Sequence, residues 1–144
     1  MQLSSQQLSA VVAGLRALGR QTAGNEKRIH SRFAIWVPVE LAPTIPYADL
    51  LPSRFSAMMR DISFGGVGLL QSMVVPDGTE FVIRLPVEPK GLLLTLCQAM
   101  HCRMVASGLY AIGTQFVREV DMPYLQALVK AHQEAQRIRK QILS

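Results

Sequence analysis

"LLLTLCQAMHCRMVASGLYAIGTQFV", residues 92–117, reads as two long strands joined by a tight turn. Leu92 to Val105 runs without Gly or Pro and is rich in apolar residues, and its length admits a bulge. Ser107-Gly108 supplies the turn, and "LYAIGTQFV" returns as the partner strand. A hairpin of this length needs further strands beside it, so the chain reads as mainly β.

Upstream the same signal repeats. "TEFVIRL" alternates cleanly and follows the turn "PDG" at 76–78. "VGLLQS" and "RFSAMMRDIS" flank a turn at "FGG", and "AIWVPVEL" opens the series, with Pro38 pointing to an edge position. Pro43, Pro46 and Pro52 mark a long loop, and Pro86, Pro89 and Gly91 another. Six strands with mostly short connections predict an antiparallel barrel or closed sheet.

Helices bracket the strands. Leu8, Val11, Val12, Leu15 and Leu18 form one apolar stripe over residues 3–20, and Gly19 and Gly24 bracket the end of this helix. Residues 21–33 follow as a polar linker. A second helix spans 122–143, with Asp121 as N-cap and Pro123 in its first turn. Its apolar side is Leu125, Leu128, Val129, His132, Ile138 and Ile142, and Arg137, Arg139 and Lys140 lie near its negative dipole end. The expected organisation is an N-terminal helical extension over 1–24, a barrel over 25–121 and a C-terminal helix over 122–144. Each helix either packs on the barrel or meets a partner, a second copy included.

Composition narrows the function. The 144 residues are 49% hydrophobic with mean hydropathy +0.22, which argues for one globular domain. No apolar run approaches the ~20 residues of a membrane span, and no secretory signal opens the chain, so a cytoplasmic protein without membrane insertion is expected. The net charge of +5 suits an anionic partner. Nucleic acid is not favoured: one Trp, three Tyr and five Phe do not interleave with the basic residues as stacking platforms would. "CQAMHC" sets Cys97, His101 and Cys102 close together, but a closed zinc site needs a fourth ligand, and two thiols on an apolar strand is the simpler reading. Trp36 reads as core or edge packing, and the seven methionines, such as Met58 and Met59, as core filling. No nucleophile with a base and an orienting group is legible, so no catalytic residue, metal or cofactor is assigned.

Two short stretches carry the chemistry. "NEKRIHSRF", residues 25–33, holds Arg28 and Arg32 four apart with Lys27 beside them. A guanidinium fork matches both phosphate oxygens and the O6/N7 edge of guanine. "DISFGG", residues 61–66, sets Asp61 and Ser63 two apart, on one face of a strand, ahead of Gly65 and Gly66. A carboxylate accepts from guanine N–H groups, and glycine admits close approach to the backbone or a positive φ. Alone, each stretch is equally a solvated charge patch or a serine-stabilised turn.

Together, "RIHSR" as R-x-x-x-R and "DISFGG" as [DN]-x-S-x-x-G resemble the PilZ domain family, bacterial receptor modules for cyclic di-GMP. "FAIWVPVEL" is similar to the family's first strand, and "CRMVASGLYAIGTQFV" to its closing hairpin; the resemblance spans roughly 25–120. It implies a six-stranded antiparallel barrel followed by a C-terminal helix. It also implies that cyclic di-GMP is the ligand, bound by Arg28 and Arg32 at phosphates and guanine edges. Asp61 and Ser63 would hydrogen-bond a guanine, Gly66 would admit it, and Lys27 would support. A non-enzymatic adaptor would then relay ligand binding to a downstream protein in motility, biofilm or polysaccharide control. The competing expectation is a PilZ-like interaction module that has lost the ligand.

Overall fold

The computed structural model describes residues 1–18, 28–29, 32–44 and 55–143. The N-terminal helix α1 spans Ser5–Leu18. Its start is a reciprocal cap: Gln7 N–H donates to Ser4 Oγ at 3.0 Å, and Ser4 N–H donates to Gln7 Oε1 at 2.9 Å. Leu3 before the cap and Leu8 in the next turn are both buried, which fixes the direction in which the chain enters the helix. Leu8, Val11, Val12 and Leu15 bury against the barrel, so α1 packs on its own domain. Leu18, assigned by periodicity to the same stripe, is 67% exposed because the helix ends beyond the sheet it covers.

Seven strands follow: β1 (Arg28–Ile29), β2 (Arg32–Pro43), β3 (Phe55–Ile62), β4 (Val67–Gln71), β5 (Glu80–Pro86), β6 (Leu92–Ala106) and β7 (Leu109–Val120). All neighbours are antiparallel in the order β1-β2-β3-β4-β7-β6-β5, and a further β2–β5 pairing closes the sheet. The closed part is a six-stranded antiparallel barrel, and β1 is a short addition at its lip. The β2–β5 pairing covers only Leu41 to Pro43, so Pro38 lies where β2 has one neighbour.

Two expectations need correction. Residues 21–33 were expected as a linker, yet Arg28 pairs with Phe33 and Ile29 with Arg32, so the arginine stretch forms a tight hairpin. The two residues of β1 are too few to show an alternating pattern. Pro43 was expected in a loop, and it ends β2 opposite Phe81; Pro46 and Pro52 lie outside the described residues. The long β6 does bulge, with register shifts at Leu96/Cys97, Ala99/His101 and Met104/Ala106.

Alternating residues fill the barrel: Ile35, Val37, Met59, Ile62, Leu69, Phe81, Ile83, Cys97, Ile112 and Phe116 are all nearly inaccessible. Desolvation pushes the Cys97 thiol up to about 12, and Cys102 is half-buried. Met59 is core, but Met100, Met104 and Met122 are exposed, so core filling does not describe the methionines as a group. Trp36 is also exposed, at 56%, on the outer face of β2.

The C-terminal helix α2 spans Met122–Leu143. Asp121 caps it, its Oδ1 accepting from Tyr124 N–H at 2.9 Å. Leu125 joins Ala42, Val82, Leu94, Leu96 and Val120 in a second apolar cluster on the outside of the barrel. Two turns further on, the buried His132 ring donates from Nε2 to the Pro43 carbonyl. Past that point the helix leaves the barrel, so Ile138 and Ile142, expected on its buried side, are exposed at 44% and 75%. No helix among the described residues is long and apolar enough to cross a membrane.

Candidate functional site

Strand register brings the two sequence motifs together. Ala34 of β2 lies opposite Asp61 of β3, two residues from Arg32. Arg32 Nη1 donates to Asp61 Oδ1 at 2.6 Å. The carboxylate is mostly covered and the guanidinium half-exposed, so one face of Arg32 remains open to solvent. Arg60 Nε approaches the other oxygen, Oδ2, at 3.4 Å. Asp61 thus stands between two cations.

Arg60 belongs to neither sequence motif. Simple alternation would send it to the face opposite Asp61. It sits at a double irregularity, however: Ile35 and Trp36 together oppose it on β2, and on β4 the pairing skips from Met59 to Asp61. A bulge re-aims a side chain in this way. The basic residue next to the motif aspartate was the available signal.

Ser63 follows the end of β3 and organises the turn to β4. Its N–H donates to Gly66 O at 2.9 Å, and its hydroxyl lies 3.3 Å from both Gly65 N and Gly66 O. The turn is also stitched outward: Phe116 N–H donates to Gly65 O at 2.7 Å, and Leu3 N–H donates to Phe64 O at 2.8 Å. Gly66 has no positive φ. A Cβ there would lie 2.0 Å from the carbonyl oxygen of Thr114, so its close approach to β7 alone demands glycine. The outward side of Gly65 is open.

An open cleft of about 430 Å³ lies over this turn. Arg32, Ser63 and Gly66 line it from the two motifs. His101, Gly113, Thr114 and Gln115 line it from the β6–β7 hairpin, and Gln2 from the N-terminal segment. The structure therefore gathers Arg32, Asp61, Ser63 and Gly66 in one place, with Asp61 reached through Arg32. The backbone of Arg28 is at the same lip, paired to Phe33, while its side chain and all of Lys27 and His30 fall outside the described residues. The hairpin and N-terminal residues were not assigned to a site from sequence, because no spacing rule links residue 2 or residue 113 to residue 63. No group of three metal-ligating side chains occurs among the described residues, and His101 stands apart from any such set.

A closed six-stranded barrel whose lip carries a basic hairpin against an Asp–Ser–Gly turn is a defined class of small β module. The PilZ domain model matches residues 26–131, and the chain belongs to that family. Among solved structures it is similar to the Bacillus subtilis inhibitor of motility MotI/DgrA, at 17% identity and a TM-score of 0.45 over 82% of this chain. The match takes in 53% of that protein's chain, so this chain spans about half of its length. No match was found among curated protein sequences.

Proposed function

We propose that the chain is a cytoplasmic, non-catalytic receptor for cyclic di-GMP. The observation that carries this reading is the cleft in which Arg32 stands beside Ser63 and Gly66, one guanidinium face open and the other held by Asp61. Arg32 meets a phosphate or guanine edge from that open face, and Arg28 joins it from β1, with Lys27 in support. Asp61 and Ser63 accept and donate at a guanine. The ligand's two negative charges settle among the cations that Asp61 only partly neutralises.

Relay to a partner follows from connectivity. Residues 19–27 link α1 to the arginine hairpin, so fixing the hairpin on a ligand constrains the segment leading to the helix. Ligand shifts the population of arrangements by its differential affinity for them. The process controlled is motility, biofilm formation or polysaccharide export.

The test is calorimetric titration with cyclic di-GMP. Wild-type protein should bind with measurable heat at micromolar concentrations. Arg32→Ala should lose about 1.5–3 kcal/mol, the scale of hydrogen bonds to a charged group. Absence of heat up to tens of micromolar, with a folded protein, would replace this reading with a ligand-free interaction module.

A further inference from the structure

The outer face of the barrel carries one continuous cross-strand row: Ala34, Asp61, Gly68, Gly113 and His101, each hydrogen-bonded-strand neighbour opposite the next. Its third and fourth positions are glycines. A Cβ on Gly68 would lie 2.7 Å from Asp61 Oδ1, and a Cβ on Gly113 would lie 2.2 Å from His101 Nε2 and 2.4 Å from its Cε1. The carboxylate and the imidazole therefore lean inward over a bare backbone floor. Asp61 is tied to Arg32. His101 is exposed to solvent, yet its ring is folded across Gly113 into the wall of the cleft.

We propose that His101 is a ligand-contact residue, and that its imidazole, seated on Gly113, is the surface on which a guanine of the bound dinucleotide stacks. The proposal rests on the cyclic di-GMP reading and adds a residue outside both sequence motifs. A ring already folded onto the sheet loses little conformational freedom on binding, which favours stacking. Aromatic faces accept purines without a hydrogen-bond code, so the ring supplies affinity while Asp61 and Ser63 read the guanine edge. Gly113 is a positioning residue: it makes the seat that holds the ring in place.

Titration with cyclic di-GMP across four proteins tests this. His101→Ala should weaken binding about tenfold, within the range for a lost base–aromatic stack. His101→Phe should stay within about threefold of wild type, because it keeps the ring and drops the nitrogens. Gly113→Ala lifts the ring from its seat and should weaken binding as His101→Ala does. The double variant should be no weaker than either single variant, since both remove one contact. The His101 ring proton resonance, assigned by its loss in His101→Phe, should move upfield on saturation with ligand, a ring-current signature that a structural role would not produce. Wild-type affinity in His101→Ala, or equal loss in the Phe and Ala variants, overturns the stacking role while leaving the receptor reading intact. Failure of wild type itself to bind overturns both.

Discussion

The motif glycine Gly66 gives the sharpest separation of architecture from ligand chemistry. A methyl group at Gly66 would sit 2.0 Å from Thr114 O and 2.8 Å from Thr114 C. Both are backbone atoms of β7, which is paired to β4 on one side and β6 on the other, so neither can swing aside. The turn would have to retreat by more than about 1 Å, which is overpacking of the kind that costs about 1–3 kcal/mol. Retreat also breaks the 2.7 Å bond from Phe116 N–H to Gly65 O, worth about 1 kcal/mol more. Gly66→Ala should therefore destabilise the protein by about 2–4 kcal/mol, lowering Tm by about 5–15 °C for a chain of this size. Gly65→Ala is the internal control: nothing lies within 4 Å of its would-be Cβ and its φ is ordinary, so its stability should stay within about 0.5 kcal/mol of wild type. Urea and thermal unfolding, both without ligand, read the difference. A Gly66→Ala protein with wild-type stability would refute the packing argument and return the glycine to the ligand.

Four further outcomes follow from the geometry. Burial raises Cys97 from 9.0 to about 12, so at pH 8 a thiol reagent should label the half-buried Cys102 and spare Cys97 until the protein unfolds. The folded value lies above the unfolded one, so the neutral thiol's contribution is complete below about pH 9 and is lost as pH rises toward 12, seen as alkaline destabilisation that Cys97→Ala removes. Asp121→Ala should cost about 1 kcal/mol through loss of the α2 cap, with Asp121→Asn close to neutral, measured by urea unfolding. His132→Ala should cost about 2–4 kcal/mol, because it opens a cavity and leaves the Pro43 carbonyl without its donor; hydrogen exchange should rise along α2 more than in β6 or β7.

What was legible in the sequence tracks the range of the interactions involved. The six long strands and both helices follow from local periodicity, Gly and Pro placement, and the Asp121 cap, all of which act within a few residues. Leu18, Ile138 and Ile142 fit the helical period but are exposed, because periodicity says which face is apolar and not how far the barrel extends beneath it. The family resemblance implied that Arg32 and Asp61 meet one ligand, but not that they pair with each other, which strand register brings about. Arg60 was hidden by a bulge, and His101 by a pairing to Gly113 that only the β6 register shift defines. Gly66 was visible as a motif residue, but its close packing on Thr114 was not, because Thr114 lies far along the chain.

The bond from Leu3 to Phe64 and the placement of Gln2 in the cleft wall bear on how the protein is handled. An affinity tag or fluorescent fusion joined ahead of residue 1 would emerge from the rim of the cleft and compete with whatever enters it. The last turns of α2, where Ile142 and Leu143 are about three-quarters exposed, contribute no residue to the cleft lining and offer an alternative attachment point. Binding measured with amino-terminal and carboxy-terminal fusions should therefore differ, the former being weaker.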